Sequence, residues 1–239
     1  MLSKNQVRFI NSLRRKKTRK SEGLFIAEGK KLVLDLLDSD IQVDKIYCLP
    51  EFECLESGKV QLISERELSS ISSLIAPNAV LAIFKIPESK PVFKKGLAVA
   101  LDDVNDPGNL GTIIRLCDWF GIPQILCSQN TVDCFNPKVV QSSMGSLARV
   151  QINYLDLAEH LRNEKRTIYG TFMEGESLYR TSFEEEGILV MGNEANGISG
   201  EIRSLVDKEL GIPQFGSQKK TESLNVAMAT AIFLSEMRR

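Results

Sequence analysis

A chain of 239 residues, 43% hydrophobic and 26% charged, has the makeup of a soluble globular protein with room for one large domain or two small ones. Its 30 Lys and Arg against 31 Asp and Glu leave a net charge of −1, so the total charge does not advertise a polyanionic partner. No apolar run approaches membrane-spanning length and no signal-peptide core opens the sequence, so no membrane is expected and the expected location is cytoplasmic.

In chain order, the charge distribution speaks before any fold does. Residues 1–20 carry Lys4, Arg8, Arg14, Arg15, Lys16, Lys17, Arg19 and Lys20 and no acid, a one-signed segment that points to RNA or another polyanion. Residues 5–16 read as a basic helix with a thin apolar side of Val7, Ile10 and Leu13. Strands are expected at 24–27, 43–49, 60–63 and 80–86, with helices over 30–37 and 65–75, which makes a small α/β module. The stretch Pro87-Glu88-Ser89-Lys90-Pro91 is polar and rigid and marks a boundary, giving domains at 1–90 and 95–239.

Beyond it, strands at 97–102, 124–127, 149–152, 167–172, 187–192 and 208–212 alternate with helices near 110–121, 137–144, 155–165, 199–206 and 223–237. That rhythm specifies an α/β fold with a mostly parallel sheet and helices on both faces. After the strand at 97–102 the chain turns polar through Asp102, Asp103, Asn105 and Asp106 and breaks at Pro107-Gly108. Leu110, Ile113, Ile114, Cys117 and Phe120 then form one apolar stripe, with Gly111, Arg115 and Asp118 opposite. An ordinary βα connection, capped by Asn109 and carrying a surface Arg115–Asp118 pair, would also fit. The last helix is apolar nearly all round, which requires burial, against the core and a second subunit.

The five cysteines form no CxxC pair, and several lie in apolar runs, so they read as small core residues in a reducing compartment. His160 is the single histidine, which disfavours His-based triads and multi-histidine metal sites. No metal is expected, and the chemistry must proceed without an imidazole base. Neither G-x-G-x-x-G nor G-x-x-x-x-G-K-[ST] occurs. Instead three loops that each follow a strand carry polar residues: Asn109 with Arg115 beyond it, Gly192 to Ser199 with Glu194, and Ile212-Pro213 through Ser223-Leu224-Asn225. In a parallel sheet all three lie at one edge, so Asn109, Arg115, Glu194, Ser223 and Asn225 can converge.

The three blocks Asn109-x-Gly111-x-x-x-Arg115, Gly192-Asn193-Glu194-x-x-Gly197-x-Ser199, and Ile212-Pro213 with Ser223-Leu224-Asn225-Val226 resemble the motifs of SpoU-type (TrmH-like) SPOUT RNA methyltransferases. The resemblance covers residues 95–239, and Phe25 to Lys30 resembles the RNA substrate-binding domain that precedes this fold in many ribosomal RNA members. It implies a C-terminal trefoil knot, an exception to the rule against knots, with S-adenosylmethionine as cofactor and Thr171, Gly192, Gly197, Ile212 and Leu224 contacting it. It further implies a homodimer packed through the last helix and methyl transfer to a ribose 2′-hydroxyl. Arg115 would contact the ribose-phosphate and act as base or as electrostatic stabiliser, and Glu194 would orient Arg115 or Asn109. Ribosomal RNA of the 23S type is the expected substrate; transfer RNA, and a non-catalytic RNA-binding scaffold, are the alternatives. The chain departs from the family pattern at Ala195, at Gln214 and across 215–222, which bears on the shape of the cofactor loop.

Overall fold

The structure, a computed structural model, describes residues 1–52, 57–216 and 223–239. The chain opens with helix α1 (Lys4–Ser12), started by a reciprocal capping box between Ser3 and Gln6, and a second short helix α2 (Lys16–Glu22). The single helix expected over 5–16 is therefore two. Leu13 is fully buried at the break, and the carbonyls of Leu13 and Arg14 accept hydrogen bonds from Arg19 Nη1 at 3.1 and 2.8 Å, which satisfies groups that α1 leaves open at its end. Gly23, with φ of +65°, ends α2. There follow β1 (Leu24–Glu28), α3 (Lys30–Leu37), β2 (Val43–Cys48), β3 (Val60–Leu62), α4 (Glu65–Ile71) and β4 (Val80–Lys85). The strands form one sheet in the order β1-β4-β2-β3, antiparallel except for β2 against β3. Ile10, Leu13, Ile26, Tyr47, Leu68 and Ile83 close its core.

The remaining elements are β5 (Leu97–Leu101), α5 (Pro107–Trp119), β6 (Gln124–Cys127), α6 (Pro137–Ser143), β7 (Gln151–Tyr154), α7 (Leu157–Arg162), β8 (Thr167–Ser177), β9 (Gly187–Met191), α8 (Gly200–Arg203), β10 (Lys208–Gly211) and α9 (Val226–Met237). Their six strands lie in the order β10-β8-β9-β5-β6-β7 with every neighbouring pair parallel. β5, β6 and β9 are buried along their whole length, as strands covered on both faces must be. Strand order reverses at β5, which has β6 on one side and β9 on the other, and open parallel sheets bind ligands beyond the carboxyl ends of the strands at such a point. Between Glu209 and Leu210 the β10–β8 pairing jumps from Gly170 to Glu176, and Gly175 there lies so close to Leu210 that a Cβ would stand 2.4 Å from its carbonyl carbon.

The chain forms two compact units, Met1–Glu88 with Asp133–Ala148, and Ser89–Val132 with Arg149–Arg239. Helix α6 thus lies in the first unit although its sequence falls in the alternating βα half. The Phe135 ring lies tilted against Phe25 with ring centroids 4.9 Å apart, Asp133 pairs with Arg19, and a Cβ on Gly145 would stand 2.7 Å from the Asp35 carboxylate. Cys48, Cys117, Cys127 and Cys134 are buried and form no disulfide among the described residues, and Cys54 lies outside them. Among the described residues no helix is long and apolar enough to cross a membrane.

Candidate active site

The second unit carries its polar residues at the carboxyl end of β5 and β9. α5 starts three residues earlier than its apolar spacing suggests, because Asp106 rather than Asn109 is the N-cap. The Asp106 side chain accepts from the Asn109 N–H at 2.9 Å, and Pro107 occupies the first turn where its missing N–H costs nothing. Just upstream, Asp103 adopts a φ of +58°, a conformation that a short hydrogen-bonding side chain tolerates. It is held on three sides: its N–H donates to Ser128 Oγ at 2.9 Å, its carboxylate accepts from the same hydroxyl at 2.6 Å, and its carbonyl accepts from Asn193 Nδ2 at 2.7 Å. Asp102, nearly buried, accepts from the Ser199 N–H at 2.7 Å.

The loop after β9 closes tightly. Asn193 and Gly197 exchange backbone hydrogen bonds of 3.0 and 2.9 Å, Gly197 takes a φ of +68°, and a Cβ on Gly192 would meet the Gly197 carbonyl carbon at 2.2 Å, so only glycine fits there. The Asn193 side-chain oxygen accepts from the N–H groups of Ala195 and Asn196 at 2.9 and 3.0 Å. This folding projects Glu194 toward the start of α5. Its carboxylate accepts from Asn109 Nδ2 at 2.9 Å and from the N–H groups of Asn105 and Asp106 at 3.3 and 3.2 Å.

The third loop joins through Asn225, the N-cap of α9. Its side-chain oxygen accepts from the Ala227 and Met228 N–H groups at 3.0 and 3.3 Å, and its Nδ2 donates to Asn109 Oδ1 at 2.9 Å. Both amide orientations follow from chemistry, because a backbone N–H at one end and a carboxylate at the other each admit a single partner type. Asn225, Asn109 and Glu194 therefore form one directed chain of donors ending on a carboxylate. Partial burial alone would raise the Glu194 pKa. The hydrogen bonds from Asn109, from its own backbone and from Asn105 and Asp106 outweigh that and hold the carboxyl below the ordinary carboxylate value.

Glu194 thus orients Asn109, not Arg115. Arg115 stands exposed on α5 and makes no hydrogen bond or ion pair among the described residues; Asp118 instead pairs with Arg149 at 2.7 Å, so the Arg115–Asp118 surface pair does not form. Gly111, expected opposite the apolar stripe, is buried. Ser223 and Leu224 are exposed immediately before Asn225, and residues 217–222, with Glu222 among them, lie outside the described residues. The Thr171 hydroxyl on β8 donates to the Val190 carbonyl of β9 at 3.0 Å, Gly192 and Gly197 form the neck of the Glu194 loop, and Ile212 is half-buried just past β10. Sequence reasoning missed the organising roles of Asp102, Asp103, Ser128 and Asn193. The Asp-Asp pair at the end of an apolar strand, types that favour turn conformations, was the available signal.

In the first unit Arg8, Arg14, Arg15, Lys16, Lys17 and Lys20 are exposed. Arg19 is not: it is 2% exposed and bonds Asp133 through Nε and Nη2 while Nη1 serves the two carbonyls of the helix break. This corrects its assignment to RNA. Among the described residues no cluster of three or more metal-ligating side chains occurs.

A parallel sheet that gathers three motif loops at its switch point is the architecture of the SpoU class of methyltransferases, and the comparisons agree. Residues 96–235 match the SpoU rRNA Methylase family and residues 4–82 the MRM3-like substrate binding domain. The chain belongs to the SpoU rRNA methylase family. It is 31% identical over 245 residues to the 23S rRNA (guanosine(2553)-2′-O)-methyltransferase RlmP of Bacillus subtilis, covering 99% of this chain and 97% of the relative. The structure of a TrmH-family protein from Porphyromonas gingivalis superposes with a TM-score of 0.90 at 39% identity, covering 100% of this chain and 98% of that one. An AdoMet-bound rRNA methyltransferase from Sinorhizobium meliloti does so with a TM-score of 0.90 at 31% identity, covering 100% and 95%.

Proposed function

We propose that this chain transfers a methyl group from S-adenosylmethionine to a ribose 2′-hydroxyl of 23S-type ribosomal RNA, in the cytoplasm, as a homodimer. The observation that carries the reading is the hydrogen-bonded chain Asn225–Asn109–Glu194, which ties all three motif loops together at the edge where an open parallel sheet binds its ligands. Relatives named as 23S rRNA 2′-O-methyltransferases support the substrate.

The residues present suit the cofactor. The loop of Gly192 to Gly197 and the segments at Ile212 and Leu224 offer backbone groups and small or apolar side chains, and among the described residues of these segments Glu194 is the one carboxylate, of the sign that complements a sulfonium. Thr171, Gly192, Gly197, Ile212 and Leu224 would hold it. When bound, it supplies an electrophilic methyl group that needs orientation more than covalent catalysis. Arg115 is the one exposed guanidinium on α5, and its charge is unspent within the described chain. It contacts the ribose-phosphate, assists loss of the hydroxyl proton and stabilises the developing alkoxide. An arginine acting as a literal base would have to give up a proton it normally keeps, so the electrostatic role is preferred. Glu194, Asn109, Ser223 and Asn225 hold the surrounding polar network.

Residues 1–90 serve as the RNA substrate-binding domain, with Arg8, Arg14 to Lys17 and Lys20 meeting phosphates, and residues 95–239 as the methyltransferase domain with its C-terminal knot. The dimer forms through α9, on whose surface Met228 is 62% exposed, with Leu224 beside it at 49%. The test is methyl transfer from labelled S-adenosylmethionine to separated ribosomal and transfer RNAs from cells lacking this gene. Label recovered from ribosomal RNA as a 2′-O-methyl nucleoside, and lost in a folded Arg115→Ala variant, is the expected result. Label on a base, on transfer RNA alone, or undiminished in Arg115→Ala overturns the corresponding part.

A further inference from the structure

The first unit contains a feature the methyl-transfer site does not use. β1, the loop after α4 and the start of α6 enclose a cavity of about 440 Å³, a size at which small-ligand sites begin. Ile26 and Val140 line it with buried apolar surface, and Leu74 adds to it from the loop after α4. Arg14 and Lys138, both exposed, bring cations to it from two distant parts of the chain, and the half-buried Gln141 brings an amide that makes no hydrogen bond among the described residues.

The walls are fixed. Glu28, 6% exposed, accepts from the hydroxyls of Ser72 and Ser73 and from the Ser73 N–H at 3.0 Å, and the Leu74 N–H donates to Ser72 Oγ at 3.1 Å. That clasp pins the loop carrying Leu74. Arg14 donates through Nη2 to the Ile71 carbonyl at 3.0 Å. A guanidinium has five N–H donors, so this bond steadies the group while others stay available to a ligand.

We propose that this cavity takes one unstacked nucleotide of the RNA, its base against the apolar lining, its phosphate at Arg14 and Lys138, and its base edge at Gln141. The inference rests on the reading of the chain as an RNA methyltransferase. Each part of the cavity answers a part of that ligand. A flat base wants apolar contact and a hydrogen-bonding group at its edge, an anionic phosphate wants cations, and RNA is read by sequence chiefly where bases are splayed out of the helix. A free inorganic anion would make no use of the apolar lining, and an apolar ligand would make no use of the cations or the Gln141 amide at the cavity. Position agrees with chemistry, since Arg14, Ile26 and Leu74 lie in the stretch that matches a substrate-binding domain.

The test uses the full chain and four fluorescent RNA hexamers, one each of A, C, G and U, with binding read by anisotropy. Arg14→Ala with Lys138→Ala should weaken all four by about tenfold, the scale of lost phosphate contacts. Gln141→Leu should weaken the preferred hexamer and erase the preference among bases. S-adenosylmethionine affinity, read by calorimetry, should stay unchanged in each. Wild-type protein that binds none of the hexamers, or variants that bind like wild type, overturn the proposal. So does a base preference that survives Gln141→Leu, because surface charge alone then accounts for binding. If the double variant does not fold, Gln141→Leu decides by itself. A wild-type chain that binds hexamers through this cavity yet methylates no RNA refutes the catalytic reading only; one that methylates RNA with the cavity variants unaffected refutes the cavity only.

Discussion

Glu194 is exposed, yet it is the residue on which the loops of the second unit converge, and its charge state is the quantity that holds them. Its pKa is depressed, so the stabilisation it gives is fully present above the ordinary carboxylate range and is lost as pH falls through its lowered value. The protection of the Asn105 and Asp106 amides against hydrogen exchange, measured relative to the unfolded chain, should therefore fall on acidification, since both donate to this carboxylate. In Glu194→Gln, which keeps the shape and loses the charge, the same amides should exchange faster at neutral pH and transfer should fall about tenfold, equivalent to about 1.4 kcal/mol. Amide protection indifferent to both changes would show that Glu194 is not their acceptor. Asn109, Glu194 and Asn225 were legible as residue types in strand-following loops, because turn-forming and ionisable residues after apolar runs are visible without coordinates. Which of them touches which was not. The sequence left Glu194 free to orient Arg115 or Asn109, and only the direction of the loop leaving β9 decides between them.

At the level of elements, spacing located most strands and helices, and the misses fall where a side chain from elsewhere sets the boundary. α5 begins at Pro107 because Asp106 caps it, a start that a count of apolar positions cannot register. The basic N-terminal helix breaks at Leu13 because Arg19 folds back onto the open carbonyls. A charge run looks uniform in one dimension, and here its members have opposite fates. Arg19→Met should lower the stability of the protein by about 3–5 kcal/mol, since Asp133 would lose its buried partner. Replacing Arg15, Lys16 and Lys17 by alanine should change stability by no more than about 0.5 kcal/mol. The same triple change should flatten the dependence of log affinity for RNA on log salt by about 2. Urea unfolding and a salt titration separate the two cases. A stable Arg19→Met variant, or a triple variant with an unaltered salt slope, would contradict the division.

The whole molecule raises the question of what covers α9. The helix packs on α5 and buries Phe233 and Leu234, as an apolar helix must. In the single chain Met228, Leu224 just before the helix and, on α5, Trp119 at 84% remain exposed, the side that the sequence expectation assigns to a second subunit. Exposed apolar surface of this kind marks an association site. If the proposed dimer forms through α9, Met228→Glu should leave a monomer in sedimentation, with the fold retained by circular dichroism. A dimer that survives it would move the interface away from α9.

The excursion of residues 133–148 into the first unit has a consequence for how this protein can be taken apart. The sequence reads as two modules laid end to end, and a βα repeat gives no sign that one of its helices has been lent out, because the partners of that segment, such as Arg19 for Asp133, lie more than a hundred positions away. The two units are spliced, not concatenated. A gene fragment ending at the polar stretch after Glu88 would encode a substrate-binding module missing one of its own walls, and a fragment beginning there would carry an orphan helix with its apolar side bare. Cassette exchange with a relative, the natural way to retarget a modular enzyme, would have to move two separate segments of the chain together.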